Sequence, residues 1–249
     1  MTQHQIMPFP NVEALATASV RAFEFELRHG DRSGVEQLEK AITEDFRGRI
    51  ALVSSFGAES AVLLHLVAQI DPATPVIFLD TGRLFGETKR YRDQLVAHLG
   101  LTGVRSIQPA PDRLAELDSD SFLFKRNPDL CCQIRKVEPL EAALAGYDAW
   151  ITGRKAFQTS DRAKLPIIET AGERVKINPL VGWSRVDLAT YFETHDLPHH
   201  PLEADGFLSI GCMPCTDRVA PGADLRSGRW SDGDKTECGI HTALGARHA

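Results

Sequence analysis

The first forty-odd residues read as helical. After Asn11, the run VEALATASVRAFEFELRHG predicts a helix with Asn11 as its cap and Gly30 as its stop. Ser33 predicts the cap of a second helix reaching to about Phe46. At Arg49 the pattern changes. RIALVS, from Arg49 to Ser54, is a short apolar run suited to a buried strand. The turn SFGAE follows, then a helical run from Ser60 to Ile70. The alternation then repeats. PVIFLD (Pro75 to Asp80) predicts a strand, TGRLF a loop, and ETKRYRDQLVAHLG a helix closed by Gly100. GVRSIQ predicts a third strand and DAWITG (Asp148 to Gly153) a fourth.

Strands alternating with helices predict an α/β fold, a parallel sheet with helices on both faces. Ligands of such sheets bind outside the carboxyl ends of the strands. The loops Ser54–Glu59, Asp80–Phe85 and Thr152–Arg162 should all lie on that edge. From Leu197 the chain becomes rich in Gly, Pro and Asp and weak in periodicity, which predicts irregular structure held by something other than a core. The expected organisation is N-terminal helices packing on the core (1–48), an α/β domain (49–215) and a mobile, irregular C-terminal tail (216–249).

A length of 249 residues allows one sizeable α/β domain or two small ones. The net charge of -6 argues against a nucleic-acid partner, which would be held through its phosphates by a more basic surface. The opening MTQHQIMPFP has no charged segment leading into an apolar core, and the longest apolar stretch, AVLLHLVAQI from Ala61, is too short to span a bilayer. The expectation is a cytoplasmic protein with no membrane partner. Structural disulfides are uncommon in that compartment, so five cysteines favour metal ligation and catalysis.

Those cysteines fall into two pairs and one remainder. Cys212 and Cys215, in GCMPC, could bind zinc, hold an iron–sulfur cluster or cycle as a redox disulfide. Cys131 and Cys132 are adjacent, which suits one zinc ion poorly but lets neighbouring thiolates bind different irons. Four buried cysteines acting as small hydrophobes is the alternative, and the polar surroundings of both pairs argue against it. A 4Fe–4S cluster is the favoured reading. Cys238, in KTECGIH, is then left as a reactive thiol, with Gly239 to bend the backbone and His241 to help hold a thiolate. Arg226 and Arg229 lie shortly upstream; without them, a leftover surface cysteine would serve equally well.

The loop SSFGAES follows a strand and opens a helix. Ser54, Gly57 and Ser60 fit a phosphate-cradling turn, although the Gly-Lys-Ser/Thr ending of a Walker A loop is missing. Basic residues gather near these features: Arg135 and Lys136 after the first cysteine pair, and Arg154, Lys155, Arg162 and Lys164 after the fourth strand. In an acidic chain they suggest a small polyanionic ligand, with some of them merely solvated. His199 and His200 read as loop residues, since no third ligand has a recognisable spacing with them.

Taken in order, SSFGAES, LDTGRLF, CCQIRKVEPL, the ITG and QTSDR segments, GCMPCT, RSGRW and ECGIH resemble the assimilatory sulfonucleotide reductases. The two cysteine pairs resemble the branch that reduces adenosine 5′-phosphosulfate with thioredoxin; relatives using the 3′-phosphorylated nucleotide generally lack both pairs. The resemblance runs from about Arg49 to His241. It implies an adenine nucleotide alpha hydrolase-like fold of the pyrophosphatase-loop type, and reduction of the nucleotide to sulfite and AMP through an S-sulfocysteine. It implies Cys131, Cys132, Cys212 and Cys215 as ligands of a 4Fe–4S cluster, Cys238 as nucleophile, and Lys136 between cluster and sulfate. Arg162, Arg226, Arg229 and His241 match residues that bind the phosphosulfate. Ser54 and Gly57 fall in the phosphate loop, and Leu79 on the strand end whose backbone reads adenine. The chain departs from the family in two places. It has TGRKAFQTS where T-G-x-R-R-x-Q-S is common, so Gln158 and Arg162 carry over while Arg154 and Lys155 are left without a role. Phe56 stands where some cluster-bearing members have serine, and its side chain is assigned no phosphate contact. Competing readings are reduction of the 3′-phosphorylated nucleotide, an adenylating ligase or sulfurtransferase, and a cluster-bearing nucleotide sensor without turnover. Assembly into a homo-oligomer stays open.

Overall fold

A computed structural model describes residues 12–220, 222–231, 235 and 237–242. The cap expected at Asn11 lies outside the described residues, as does part of the tail. Two helices open the chain. Helix α1 (Val12–His29) ends where expected, with the Gly30 N–H donating to Glu26 O. Helix α2 (Gly34–Lys40) starts from a reciprocal capping box between Ser33 and Glu36 and runs into a π turn, Ala41–Asp45.

The sheet then builds outward from its centre. Strand β1 (Ile50–Ser54), helix α3 (Ser60–Ile70), strand β2 (Val76–Leu79), helix α4 (Gly86–Leu99) and strand β3 (Val104–Ile107) follow in turn. Gly100 closes α4 in the left-handed conformation, φ 65°. Short helices α5 (Pro111–Leu117), α6 (Leu123–Arg126), α7 (Pro128–Cys132) and α8 (Glu138–Ala143) lead back to strand β4 (Ala149–Ile151), with a π turn, Gln133–Val137, between α7 and α8. A hairpin of β5 (Ile168–Ala171) and β6 (Arg174–Ile177), then helix α9 (Arg185–Thr194), complete the body.

The strand order is β3-β2-β1-β4-β6-β5, parallel except for β5, which pairs antiparallel with β6. The sequence predicts four parallel strands; the structure adds this two-strand edge. Alternating residues divide the core. Ile50, Leu52, Val76, Phe78, Ala149 and Ile151 face one layer with α3, α4 and α9. Ala51, Ile77 and Trp150 face the other, against Val137, Leu140 and Leu144. Buried faces on both sides explain why the strands read as continuous apolar runs. No helix among the described residues is long and apolar enough to cross a membrane.

The position of β1 decides where a ligand can go. Leu52 pairs with Val76 of β2 on one side and with Ile151 of β4 on the other. The chain leaves β1 in one direction for β2 and β3 and returns on the opposite side as β4. Such a switch point opens a crevice beyond the strand ends.

Candidate active site

A cavity of about 220 Å3 occupies that crevice. The loops after β1 and β4 form its floor, Leu79 at the end of β2 one wall, and Leu208 to Gly211 another. Arg226 and Arg229 from one segment, and Cys238 and His241 from another, close it over. All nine residues expected to meet substrate or reacting atoms line it: Ser54, Gly57, Leu79, Lys136, Arg162, Arg226, Arg229, Cys238 and His241.

The loop after β1 is shaped locally. Ser54 Oγ accepts from the Phe56 N–H at 3.2 Å, and Phe56 takes a positive φ of 48°. Its ring turns away from the cavity into the core, edge-on to Phe78. Gly57 sits under a close crossing: a Cβ there would meet Ile210 O at 3.2 Å. The Ser60 N–H donates to Gly57 O at 3.0 Å and starts α3, leaving a helix N-terminus at the cavity.

Opposite stands a crowd of buried basic side chains. Arg154, Lys155, Arg162 and Lys176 are all at most 6% exposed. Burial and the neighbouring Arg162 push the Arg154 guanidinium down to about 10, and burial and Arg154 push the Lys176 ammonium down to about 6. Arg226 is pushed down to about 10, again first by burial. Carboxylates partly offset them. Glu59 accepts from Lys155 Nζ and Gln158 Nε2, both at 2.7 Å, and Glu169 pairs with Arg154 and Lys176. His241 stacks on Trp150 with centroids 6.2 Å apart and planes 4° from parallel, while Lys176 Nζ lies 4.9 Å from the same indole. Burial and then Lys176 hold the His241 imidazole well below its usual range, so it is neutral, and its Nδ1 is buried without a hydrogen-bond partner among the described residues. Basic groups this crowded, around an open cavity, suit an anionic ligand.

The irregular segments bring the cysteines together. Met213 N–H donates to Arg83 O, Leu84 bridges to Cys212, and Thr216 bridges to Arg229. Arg229 Nε donates to Cys215 O at 3.1 Å, and its guanidinium lies where a side chain on Gly211 would be, 2.3 Å from a Cβ built there. Cys131, Cys132, Cys212 and Cys215 line one small cavity of about 20 Å3 with Arg135 and Lys136. None is disulfide-bonded. Thr81 Oγ1 lies 3.2 Å from Cys212 Sγ. Burial pushes the Cys131 thiol up to about 11 and, with the sulfur of Cys212, raises Cys215. These thiols therefore ionise only where added positive charge compensates them, as bound metal does. Adjacent thiols such as Cys131 and Cys132 suit different irons better than one zinc ion, so the chemistry of this donor set fits a group of several irons.

Cys238 sits between the two cavities. Lys136 Nζ stands 3.8 Å from its Sγ. Burial disfavours the Lys136 ammonium, but the sulfurs of Cys212, Cys238 and Cys132 more than offset it and hold its pKa above the ordinary lysine value. The Cys238 thiol is held well below its usual range by hydrogen bonding from Cys132, against burial, with Lys136, the Ile240 N–H and Arg229 adding to the effect. Helix α10 (Gly239–Thr242) docks this segment: its first residue packs on Val137 and Cys132, and Ile240 joins the Trp150 side of the core.

Some expected residues fall elsewhere. Lys164 is exposed and outside the cleft. Arg135 lies under the four cysteines, donating to Thr81 O at 2.8 Å and pairing with buried Asp118. His200 is structural, bonded to Thr88 Oγ1 at 3.1 Å, and His199 is exposed beside Glu203. Sequence reasoning leaves Arg154 and Lys155 without a role and misses Glu59, Lys176, Trp150 and Glu237. Glu237 stands inside the quoted ECGIH motif, whereas Lys176 lies in a short strand with no motif around it.

Residues 49–218 match the model of the phosphoadenosine phosphosulfate reductase domain. Two curated relatives are named adenosine 5′-phosphosulfate reductase: that of Mesorhizobium japonicum is 51% identical over 90% of this chain and 88% of its own, and that of a Chelativorans species is 50% identical over 90% and 92%. Among solved structures, the phosphoadenylyl-sulfate reductase of Candida auris, a phosphate complex, aligns with a TM-score of 0.65 and 26% identity, covering 80% of this chain and 96% of that one. The FMN adenylyltransferase of Candida glabrata shares the fold alone, at 15% identity and a TM-score of 0.52 over 90% of this chain and 82% of that one. The loop at the switch point, the buried basic residues and the thiol above them thus occur in a chain that belongs to the phosphoadenosine phosphosulfate reductase domain family.

Proposed function

We propose that this protein reduces adenosine 5′-phosphosulfate to sulfite and AMP with thioredoxin as electron donor, in assimilatory sulfate reduction in the cytoplasm. The observation that carries the reading is the Cys238 thiol, 3.8 Å from the Lys136 ammonium, in a cleft shared by a phosphate loop and buried arginines. The names of the two relatives at 50–51% identity support this nucleotide.

In this reading Ser54, Gly57 and the start of α3 hold the phosphate, the backbone at Leu79 meets the adenine, and Arg162, Arg226, Arg229 and His241 hold the phosphosulfate. The Cys238 thiolate attacks the sulfate sulfur. An S–S bond forms, the S–O bond to phosphate breaks, and AMP leaves with the electron pair, giving S-sulfocysteine. A thiolate of reduced thioredoxin then attacks the Cys238 sulfur and releases sulfite; the second thiol resolves the mixed disulfide and returns the Cys238 thiolate. Both electrons come from the dithiol. Lys136 offsets negative charge on thiolate and sulfate oxygens as they meet. Cys131, Cys132, Cys212 and Cys215 would hold a 4Fe–4S cluster, which would order the segment around Cys212, with the Lys136 ammonium supplying the positive charge between it and the substrate sulfate. The tail from residue 216 must close over the nucleotide and open to thioredoxin.

Anaerobic purification, iron and sulfide quantification, and a thioredoxin-coupled assay with both nucleotides test this on one sample. Sulfite release from adenosine 5′-phosphosulfate is expected, with four irons per chain. One similar relative, from Gloeobacter violaceus, is named phosphoadenosine 5′-phosphosulfate reductase at 41% identity. A preference for the 3′-phosphorylated nucleotide would therefore replace the substrate while keeping the chemistry; no sulfite from either would overturn the function.

A further inference from the structure

Glu237 directly precedes the thiol, and its carboxylate lies among the cations of the cleft. Its Oε2 accepts from Arg162 Nε at 2.6 Å and its Oε1 from Arg162 Nη2 at 2.8 Å, a bidentate pair. Arg226 Nη2 stands 3.4 Å from Oε1, and the Cys238 N–H donates to the same oxygen at 2.8 Å. The remaining Arg162 nitrogen, Nη1, donates to Gln158 Oε1. Every nitrogen of Arg162 thus already faces an acceptor in the chain itself. Carboxylate, phosphate and sulfate all take the arginine fork in the same two-oxygen geometry. A ligand oxyanion therefore gains the Nε–Nη2 fork of Arg162 only by displacing the Glu237 carboxylate, and two anions sharing that guanidinium would repel each other.

We propose that Glu237 is an anion-exchange latch. Without ligand, its carboxylate fills the Arg162–Arg226 site and holds the tail down. An incoming oxyanion of the nucleotide takes over those donors, and the released carboxylate loosens the backbone at Cys238, its nearest neighbour, so that filling the site and repositioning the thiol become one event. Glu237 is a positioning residue, acting on the thiol through the tail backbone. The proposal rests on reading the cleft as a nucleotide phosphosulfate site.

The test uses the anaerobic holoprotein and two probes, AMP and adenosine, in titration calorimetry. Glu237→Gln keeps the side-chain shape but removes the competing charge. AMP should bind about five- to tenfold more tightly than to wild type, with adenosine changed less than about twofold, because adenosine has no anion to exchange. Glu237→Asp, which keeps the charge with a shorter reach, should give a smaller gain for AMP. A merely structural role for Glu237 would weaken AMP on substitution, never tighten it. In the absence of ligand, alkylation of Cys238 should be faster in Glu237→Gln than in wild type. No AMP tightening in either variant overturns the latch. Wild-type sulfite release is measured beside it: turnover without AMP tightening overturns the latch alone, and AMP tightening without turnover overturns the proposed reaction alone.

Discussion

Replacing Lys136 by Ala tests the charge beside the Cys238 thiol. The ammonium stands 3.8 Å from Cys238 Sγ. Two unit charges at that separation interact by about 4 kcal/mol at an effective dielectric constant of about 20. Removing one should raise the thiol pKa and favour the thiol over the thiolate by up to that energy, about a thousandfold at about 1.4 kcal/mol per factor of ten. The thiolate that survives is more basic and a better nucleophile, and a Brønsted slope of about 0.4–0.5 returns nearly half of that loss. The net expectation is adduct formation slowed about thirtyfold near neutral pH, and more if Lys136 also steadies the sulfate oxygens. AMP lacks the sulfate and should lose less than about threefold in affinity. The assay is single-turnover formation of the S-sulfonated chain, followed by intact mass after rapid quenching, without thioredoxin. In the variant the rate should climb with pH as the thiol ionises. Equal losses in adduct rate and AMP affinity would refute the charge role, as would a variant rate that is flat between about pH 6.5 and 9.

Cys238→Ser should form no S-sulfonated adduct while keeping its iron and visible absorption; an adduct of undiminished amount would remove Cys238 as the nucleophile. Cys215→Ser should lose at least half of its iron and sulfide, measured chemically, and full retention would count against the four-cysteine cluster. His200 supplies a pH prediction remote from the chemistry. It accepts the Leu202 N–H at Nδ1, and burial pushes its imidazole from 6.5 down to about 4. The unfolded chain then binds the extra proton between those values, so stability should fall as pH drops from about 6.5 to about 4, by about 3 kcal/mol in all. Urea midpoints of His200→Asn should lack that part of the acid slope; an unchanged slope would show that His200 does not cause it.

The central strands and the cleft edge were legible because their signals are local. A strand buried on both faces reads as an unbroken apolar run, and β1, β2 and β4 all do. The β5–β6 hairpin was not legible. Its strands carry Glu169 and Lys176, and ionic residues in a four-residue run look like solvated loop until their partners are known. The capping pattern Ser184-x-x-Asp187 before α9 is a local signal that the sequence reading passed over. The site divides in the same way. Cysteines, the small residues of the loop after β1 and the arginines announce candidate chemistry by type, and all expected ones met in two adjoining cavities. Their counter-charges did not, because each comes from a distance: Glu59 is 96 residues from Lys155, and Arg162 is 75 residues from Glu237. A sequence shows which groups can bind an anion. Whether an arginine is open or already held by a carboxylate depends on pairs that only folding makes. At Arg162 the fold itself supplies the acceptors, Glu237 and Gln158, and an oxyanion seeking the same fork would have to replace the carboxylate that also accepts from the Cys238 N–H.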